Sequence, residues 1–200
     1  MTRVTCFTVL ACLMLVCSLG SALTLDFEGL ADSTAVTNQY AALGVTFSGP
    51  TVLTAGISLN ESEFPPHSGL NVVFDDGGPI AGVFSTPVTG FGGFFTYVSE
   101  LTMTAYDAGN NVVVSAVSLF SDNTVSSGNP PNESMDISFG GGIWGFRISG
   151  ENLGSSFVMD DFHFTPMQEA QVPDAPSLVL GMMGLSAVIG TNRAFRFRKK

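Results

Sequence analysis

The chain has 200 residues, enough for one domain once the terminal segments are set aside. Its 23 glycines, 17 phenylalanines and charged fraction of only 12% favour an all-β domain with many turns over a helical one. The net charge of −10 argues against a nucleic-acid partner, because phosphate binding requires many Lys and Arg side chains.

The first 22 residues have the three parts of a secretory signal peptide. Arg3 precedes an apolar run from Val4 to Val16, which predicts a signal helix, and signal peptidase is expected to cut between Ala22 and Leu23. The run is shorter than the roughly 20 residues that a membrane span needs. A lipoprotein anchored at Cys17 and an uncleaved N-terminal anchor stay open as alternatives. The three cysteines all lie in this segment, so the domain that follows has no thiol chemistry.

Residues 23–171 are predicted to form a single β domain. Short apolar segments recur there between turn signals, and no segment keeps a helical period. A two-sheet antiparallel sandwich of the jelly-roll type is expected. A hairpin turn is predicted at 107–111, and the longest loops are predicted at 60–66 and 121–131. The ten expected strands are residues 23–28, 44–48, 71–74, 80–84, 91–98, 101–106, 112–119, 135–139, 143–148 and 157–164.

The charge of this domain is one-sided. Residues 23–171 contain sixteen acidic side chains and a single base, Arg147, a net charge of −15. Such a surface suits cations, basic partners or neutral ligands such as sugars. The alternative is that the charge serves solubility alone. We expect Arg147 either to pair with nearby carboxylates or to contact a ligand.

Carboxylates occur in both the first and the last predicted strand. Asp26 and Glu28 open the domain, and Asp160 and Asp161 stand near its end, where they break the strand alternation. That break predicts a β-bulge or an inward-pointing aspartate. Terminal strands of jelly rolls often lie side by side, which would bring the four carboxylates together around a cation. The alternative is that they are ordinary exposed carboxylates. Residues 75–78 have the composition of a cation loop, but a turn is favoured there.

The Asp26–Glu28 start and the Met159–Phe162 finish resemble those of carbohydrate-binding and MAM-like jelly rolls. The resemblance implies a structural Ca²⁺ ion held by Asp26, Glu28, Asp160 and Asp161.

Aromatic side chains are the candidates for contacts with a sugar, since a ring can stack on the apolar face of a pyranose. These candidates are Trp144, Tyr97 and Tyr106; core packing is the competing role for Trp144. Enzymatic signals are poor. The chain has two histidines and no pattern for a nucleophilic triad, so no enzyme is predicted. A glycosidase with a pair of acting carboxylates stays open as an alternative.

The C-terminal segment has three parts. A Pro-rich break at 171–177 precedes an apolar run at 178–190, and a basic cluster at 193–200 ends the chain. The basic end is expected to stay on the cytoplasmic side, which places the domain outside. The apolar run predicts a short transmembrane helix that holds the chain only transiently. An ordinary single-pass tail anchor is the alternative.

This layout resembles the PEP-CTERM type of sorting tail, found on exported bacterial proteins and recognised by exosortases. The sorting motif is carried by Val172, Pro173, Asp174, Pro176 and Ser177. The usual box reads Val-Pro-Glu-Pro-Ser; this chain has Asp for Glu and one inserted residue. The resemblance implies an exosortase-type partner and residues 172–200 as the sorting tail.

Taken together, the sequence predicts an exported protein of the cell surface, cell envelope or extracellular matrix whose jelly-roll domain binds polysaccharide. Two alternatives remain, an extracellular enzyme acting on glycans and a structural surface component without a small-molecule site.

Overall fold

The structure is a computed structural model that describes residues 21–168. The predicted signal helix, the sorting motif at 172–177 and the apolar run at 178–190 lie outside these residues. Within the described range, no helix is long and apolar enough to cross a membrane.

The described residues are all-β, as predicted, and contain no α-helix. Nine strands are joined by turns, loops and two single-turn 3-10 helices at Ala41–Leu43 and Val125–Ser127. The strands are β1 (Leu23–Leu25), β2 (Val45–Ser48), β3 (Pro50–Thr54), β4 (Asn71–Asp75), β5 (Ile80–Tyr97), β6 (Thr102–Tyr106), β7 (Val112–Val117), β8 (Glu133–Ser149) and β9 (Phe157–Pro166).

All nine strands belong to one open antiparallel sheet. Its order is β3-β4-β9-β5-β8-β6-β7, with β1 added alongside β9 and β2 alongside β5. The first and last strands pair as predicted, with Leu23 opposite Phe164 and Leu25 opposite Phe162. The last strand therefore lies in the interior of the sheet and has three strand neighbours, β1, β4 and β5.

Two long strands replace four of the predicted short ones. Residues 80–84 and all but the last residue of 91–98 fall in β5, and residues 135–139 and 143–148 fall in β8. The pairing of β5 with β8 changes register between Val83 and Gly90, so each long strand passes an irregularity that resembles a strand end in sequence. Strand β3 was not predicted; it begins at Pro50 on the edge of the sheet, where proline is tolerated.

The core packs aromatic side chains from different parts of the sheet against one another. Phe162 of β9 contacts Phe47 of β2, at 5.2 Å between ring centroids, and Phe146 of β8, at 5.0 Å. Phe84 of β5 contacts Phe164 of β9 at 5.3 Å. Each buried ring contributes roughly 2–3 kcal/mol from the area it removes from water. This packing of separate parts of the sheet against each other is consistent with a β-sandwich.

The predicted turn is confirmed, and loops do occur at 60–66 and 121–131, but the prediction that they are the longest is wrong, because residues 26–44 between β1 and β2 form a longer connection. Residues 107–111 connect the paired strands β6 and β7, and Asn110 takes a positive φ of 61°. Two long loops, residues 55–70 and 118–132, contain no strand. They also contact each other, because Asn132 donates a hydrogen bond to the Pro65 carbonyl.

Candidate functional site

A groove of about 370 Å³ lies on the side of strands β2, β5, β8 and β6 that is turned away from the core. We call this side the groove face. The outward residues are set by the pairing, in which Thr46 lies opposite Val83, Val83 opposite Gly145, and Gly145 opposite Tyr106. The lining residues are Thr46, Phe47, Ser48, Ala81, Gly82, Val83, Tyr106, Asn110, Gly145, Phe146 and Arg147.

Glycines allow the groove to exist. A Cβ at Gly145, which lines the groove, would lie 3.3 Å from the Gly82 carbonyl oxygen and 3.7 Å from the Val83 side chain. On the inward side, a Cβ at Gly82 would collide with the Phe146 ring, which fills the core beneath. The base of the groove is therefore closely packed on the core side and open on the solvent side.

Tyr106 and Arg147 supply the groove's distinctive chemistry. Tyr106 is half-buried at the end of β6, and Arg147 is exposed on β8. The Arg147 Nε donates a hydrogen bond to Ser149 Oγ at 3.1 Å. Within residues 21–168, Arg147 forms no salt bridge. Of its two predicted roles, pairing with a carboxylate is therefore not observed in the described part of the chain.

The two other aromatic candidates lie outside the groove. Trp144 is 37% exposed and immediately precedes Gly145, but it is not a lining residue. Tyr97 has no exposed surface, so the prediction that it stacks on a ligand is corrected. Its hydroxyl donates to Glu133, and burial together with that bond raises the pKa of Tyr97 to about 12. It is a core residue with a satisfied polar end.

Two carboxylates of the predicted cluster form hydrogen bonds with the backbone of residues 67–71. Asp160 is buried, and its Oδ2 accepts hydrogen bonds from the backbone N–H groups of His67 and Ser68, both at 2.8 Å. Glu28 Oε1 accepts from the N–H groups of Leu70 and Asn71 at 2.8 and 2.7 Å. Carboxylates from both ends of the domain thus hold the segment 67–71.

Asp161 provides a third attachment for the same segment. Its carboxylate accepts from Ser68 Oγ at 2.9 Å and lies 2.6 Å from His67 Nδ1. The His67 ring stacks on Phe94 with centroids 3.4 Å apart. Asp161 has a φ of 46°, and the pairing of β9 with β5 changes register there, which confirms the predicted bulge. The bulge lets adjacent aspartates both reach the loop.

Asp160 lies in an unusual electrostatic environment. Burial, with a smaller contribution from the charge of Asp161, raises the pKa of Asp160 from 3.8 to about 6. Its three backbone hydrogen bonds, the third from the Asp161 N–H, act in the opposite direction. The buried Asp160 side chain therefore holds residues 67 and 68 in place through their backbone N–H groups.

The segment held in this way belongs to residues 55–70, which we call the cover loop. Its Leu59 and Phe64 pack on Val72 of β4 and Val158 of β9, on the opposite side of those strands from the main core. We call this side the covered face. A Cβ at Gly69, which has a φ of 53°, would collide with the Glu28 carboxylate. Glycine at this position lets the loop approach the carboxylate closely.

The four predicted metal ligands do not form a side-chain cluster that fits Ca²⁺. Among residues 21–168, no group of three His, Cys, Asp or Glu side chains is placed to hold a metal ion. Asp26 is exposed and accepts a bond from the Glu28 N–H. Glu28, Asp160 and Asp161 each accept hydrogen bonds from the segment 67–71. Calcium binding stays a prediction.

Residues 76–78 form a turn, and Asp75 has a separate structural role. Asp75 ends β4, is fully buried, and accepts bonds from the backbone of Ser156 and Phe157 and from Ser156 Oγ. Burial raises the pKa of this carboxyl. It ties the end of β4 to the start of β9.

Sequence reasoning missed the groove and the cover-loop contacts for different reasons. The groove depends on which residues are neighbours across four strands, and that pairing leaves no local signal around Gly145. A signal did exist for Asp160, since it interrupts an apolar strand. Its partner, the backbone of residues 67 and 68, could not be identified from residue types.

No protein-family model matches the chain, and no curated protein matches it significantly. Solved structures resemble it at low identity. The K2 cleaved adhesin domain of Lys-gingipain matches with 16% identity and a TM-score of 0.48, over 72% of this chain and 99% of that one. A DUF4465 family protein from Bacteroides caccae matches with 12% identity and a TM-score of 0.49, over 74% and 100%.

A third similar structure is the family 11 carbohydrate-binding module from Clostridium thermocellum, in complex with a β-1,3-1,4-mixed-linked tetrasaccharide. It matches with 14% identity and a TM-score of 0.35, over 76% of this chain and 99% of that one. At these values, the ligands and activities of these proteins are not transferred to this chain.

Proposed function

We propose that this chain is an exported, non-enzymatic polysaccharide-binding module of jelly-roll type whose groove face holds the glycan. The observation that carries the proposal is the groove of about 370 Å³ with Tyr106 beside it. A sugar ring presents apolar C–H groups that pack on an aromatic ring, and its hydroxyls suit nearby polar side chains. Thr46, Ser48 and Asn110 supply such polar groups along the groove.

The extent of the groove across several strands favours a chain-like ligand. The lining residues extend from β2 across β5 and β8 to the β6–β7 turn, so a linear oligosaccharide can cross several strands.

Binding of a glycan panel to the full chain, measured by affinity electrophoresis, tests this function. Tyr106→Ala removes the ring, and Gly145→Thr fills the groove; each is expected to weaken binding by about tenfold or more. Trp144→Ala is the matched control, since it deletes an exposed aromatic residue that does not line the groove.

Glycan binding that persists in both groove variants would contradict the proposed site. A wild-type chain that binds no glycan would contradict the function itself. Product formation from any of these glycans would instead favour the enzymatic alternative.

The proposal places the protein at the cell envelope, the cell surface or in the extracellular matrix. Signal peptidase would cut before Leu23, and an exosortase-type enzyme would read the motif at 172–177. N-terminal sequencing of the mature protein tests the first step. Replacing Val172, Pro173 and Asp174 together tests the second; unchanged processing and location would contradict recognition of this motif.

A further inference from the structure

We infer that the glycan recognised in the groove carries carboxylates, as in a polyuronate, and that Arg147 binds one of them. This inference rests on the proposed function, because it assigns a ligand class to the same groove.

The first observation is the isolation of Arg147. Residues 21–168 contain fifteen Asp and Glu side chains and no other Arg or Lys. In so acidic a domain, a lone exposed guanidinium would gain from any carboxylate partner within reach. Arg147 nevertheless forms no salt bridge in the described residues. Its position keeps the positive charge available to something outside the protein.

The second observation is the chemistry of the groove around it. None of the residues lining the groove is acidic, so Arg147 gives the lining a positive charge within a negative domain. The carboxylate nearest in sequence to Tyr106 is Asp107. Its Oδ1 accepts the N–H groups of Gly109 and Asn111, both at 2.8 Å, which fixes this side chain within the turn.

The third observation is the geometry of the donors. Among the described residues, the hydrogen bond that Arg147 donates uses Nε, toward Ser149 Oγ on the same strand. That bond orients the guanidinium and leaves its Nη groups for a ligand. A planar pair of N–H donors matches the two oxygens of a carboxylate. Because Tyr106 also lines the groove, one uronic acid residue can pack its sugar ring on Tyr106 and bind its carboxylate to Arg147.

Paired ligands that differ only in charge test the inference. The full chain is titrated with polygalacturonate and with the same polymer fully methyl-esterified, both in EDTA so that bound cations do not contribute. At about 0.15 M salt, acidic groups more than about 8 Å from the bound carboxylate are largely screened, so we expect polygalacturonate to bind about tenfold more tightly or better. Arg147→Gln should abolish that preference, so that the variant binds the acid and the ester with equal affinity. Arg147→Lys, which keeps the charge but not the fork of donors, should restore part of it.

The outcomes separate this inference from the proposed function. Equal binding of both polymers by the wild type, lost from both in Tyr106→Ala, would overturn the carboxylate assignment and leave glycan binding intact. If the wild type binds no glycan at all, both the carboxylate assignment and the proposed function are overturned. Tighter binding to dextran sulfate than to polygalacturonate, also dependent on Arg147, would overturn the carboxylate in favour of sulfate.

Discussion

The covered face and the groove face use their polar side chains in opposite ways. On the covered face, Asp160 and Glu28 accept hydrogen bonds from the backbone of residues 67–71, and Asp161 accepts one from the Ser68 hydroxyl. On the groove face, Arg147 points to solvent with no acidic partner among the described residues. The comparison teaches that the abundant acidic charge of this chain is not evenly available to ligands. Part of it is engaged in holding the fold, while Arg147, the one arginine among residues 21–168, is exposed.

The largest difference between the faces is expected from Asp160→Ala. The change leaves three backbone N–H groups without their acceptor at a buried site, so the free energy of unfolding should fall by about 2 to 3 kcal/mol at about pH 5. Urea unfolding measures it. Asp26→Ala, at an exposed carboxylate, should cost no more than about 0.5 kcal/mol. Equal losses would show that Asp160 does not fasten the loop.

Gly69→Ala should produce the next largest effect on the covered face. The positive φ and the collision with Glu28 together are expected to cost about 2 kcal/mol. Gly56→Ala is a matched control in the same loop, with a φ of 77° and nothing near its added Cβ, and should cost about 1 kcal/mol. If chemical denaturation finds the two variants equally stable, the contact between Glu28 and residues 69–71 is not under steric constraint.

The raised pKa of Asp160 predicts a pH dependence confined to the covered face. The folded protein keeps a proton at Asp160 up to about pH 6, whereas the unfolded chain releases it near 3.8. The stabilising contribution is therefore complete below about pH 4 and is lost as the pH rises through about 6. Relative to Asp160→Asn, the wild type should lose about 1 to 2 kcal/mol across this range, allowing for solvent screening.

Unfolding free energies measured at pH values across this window test the dependence. Asp75 also has a raised pKa, because of burial, and it contributes with the same sign in both proteins. The difference between wild type and variant therefore isolates Asp160. A difference that does not change with pH would mean that Asp160 titrates normally.

On the groove face, Arg147→Gln should alter stability by no more than about 0.5 kcal/mol, because the side chain is exposed and its protein partner among the described residues is Ser149. Thermal unfolding of the variant beside the wild type measures this. A loss comparable to that of Asp160→Ala would contradict the assignment of Arg147 to ligand binding and make it a structural residue.

The smallest effect is expected from removing divalent cations. The carboxylates in question already accept hydrogen bonds, so a chelator should change the melting temperature by less than about 1 °C. Thermal melts with added calcium and with EDTA provide the measurement. A decrease of several degrees in EDTA would support the calcium prediction and require the carboxylates to rearrange around an ion.

The sequence predicts the features of this fold that depend on neighbouring residues. Alternation locates most strands, and the composition of 107–111 predicts the hairpin turn. The pair Asp160–Asp161 marks its own bulge by interrupting an apolar strand. Prediction fails where contacts are distant in the chain. Nothing local reveals that Tyr97 is buried, that Gly145 opens a groove between Val83 and Tyr106, or that residues 67–71 are the partners of the terminal carboxylates.

The interior position of β9 also governs how the domain is assembled. The last described strand, β9, pairs with both β1 and β4. The pairing of these two strands is therefore incomplete until Phe157–Pro166 is present. Contacts so distant in sequence slow folding and leave apolar edges exposed until they form. The sheet can therefore be completed only after nearly the whole domain has been synthesised. For the proposed export, late completion of the sheet would favour the incompletely folded form that a narrow translocation channel can pass.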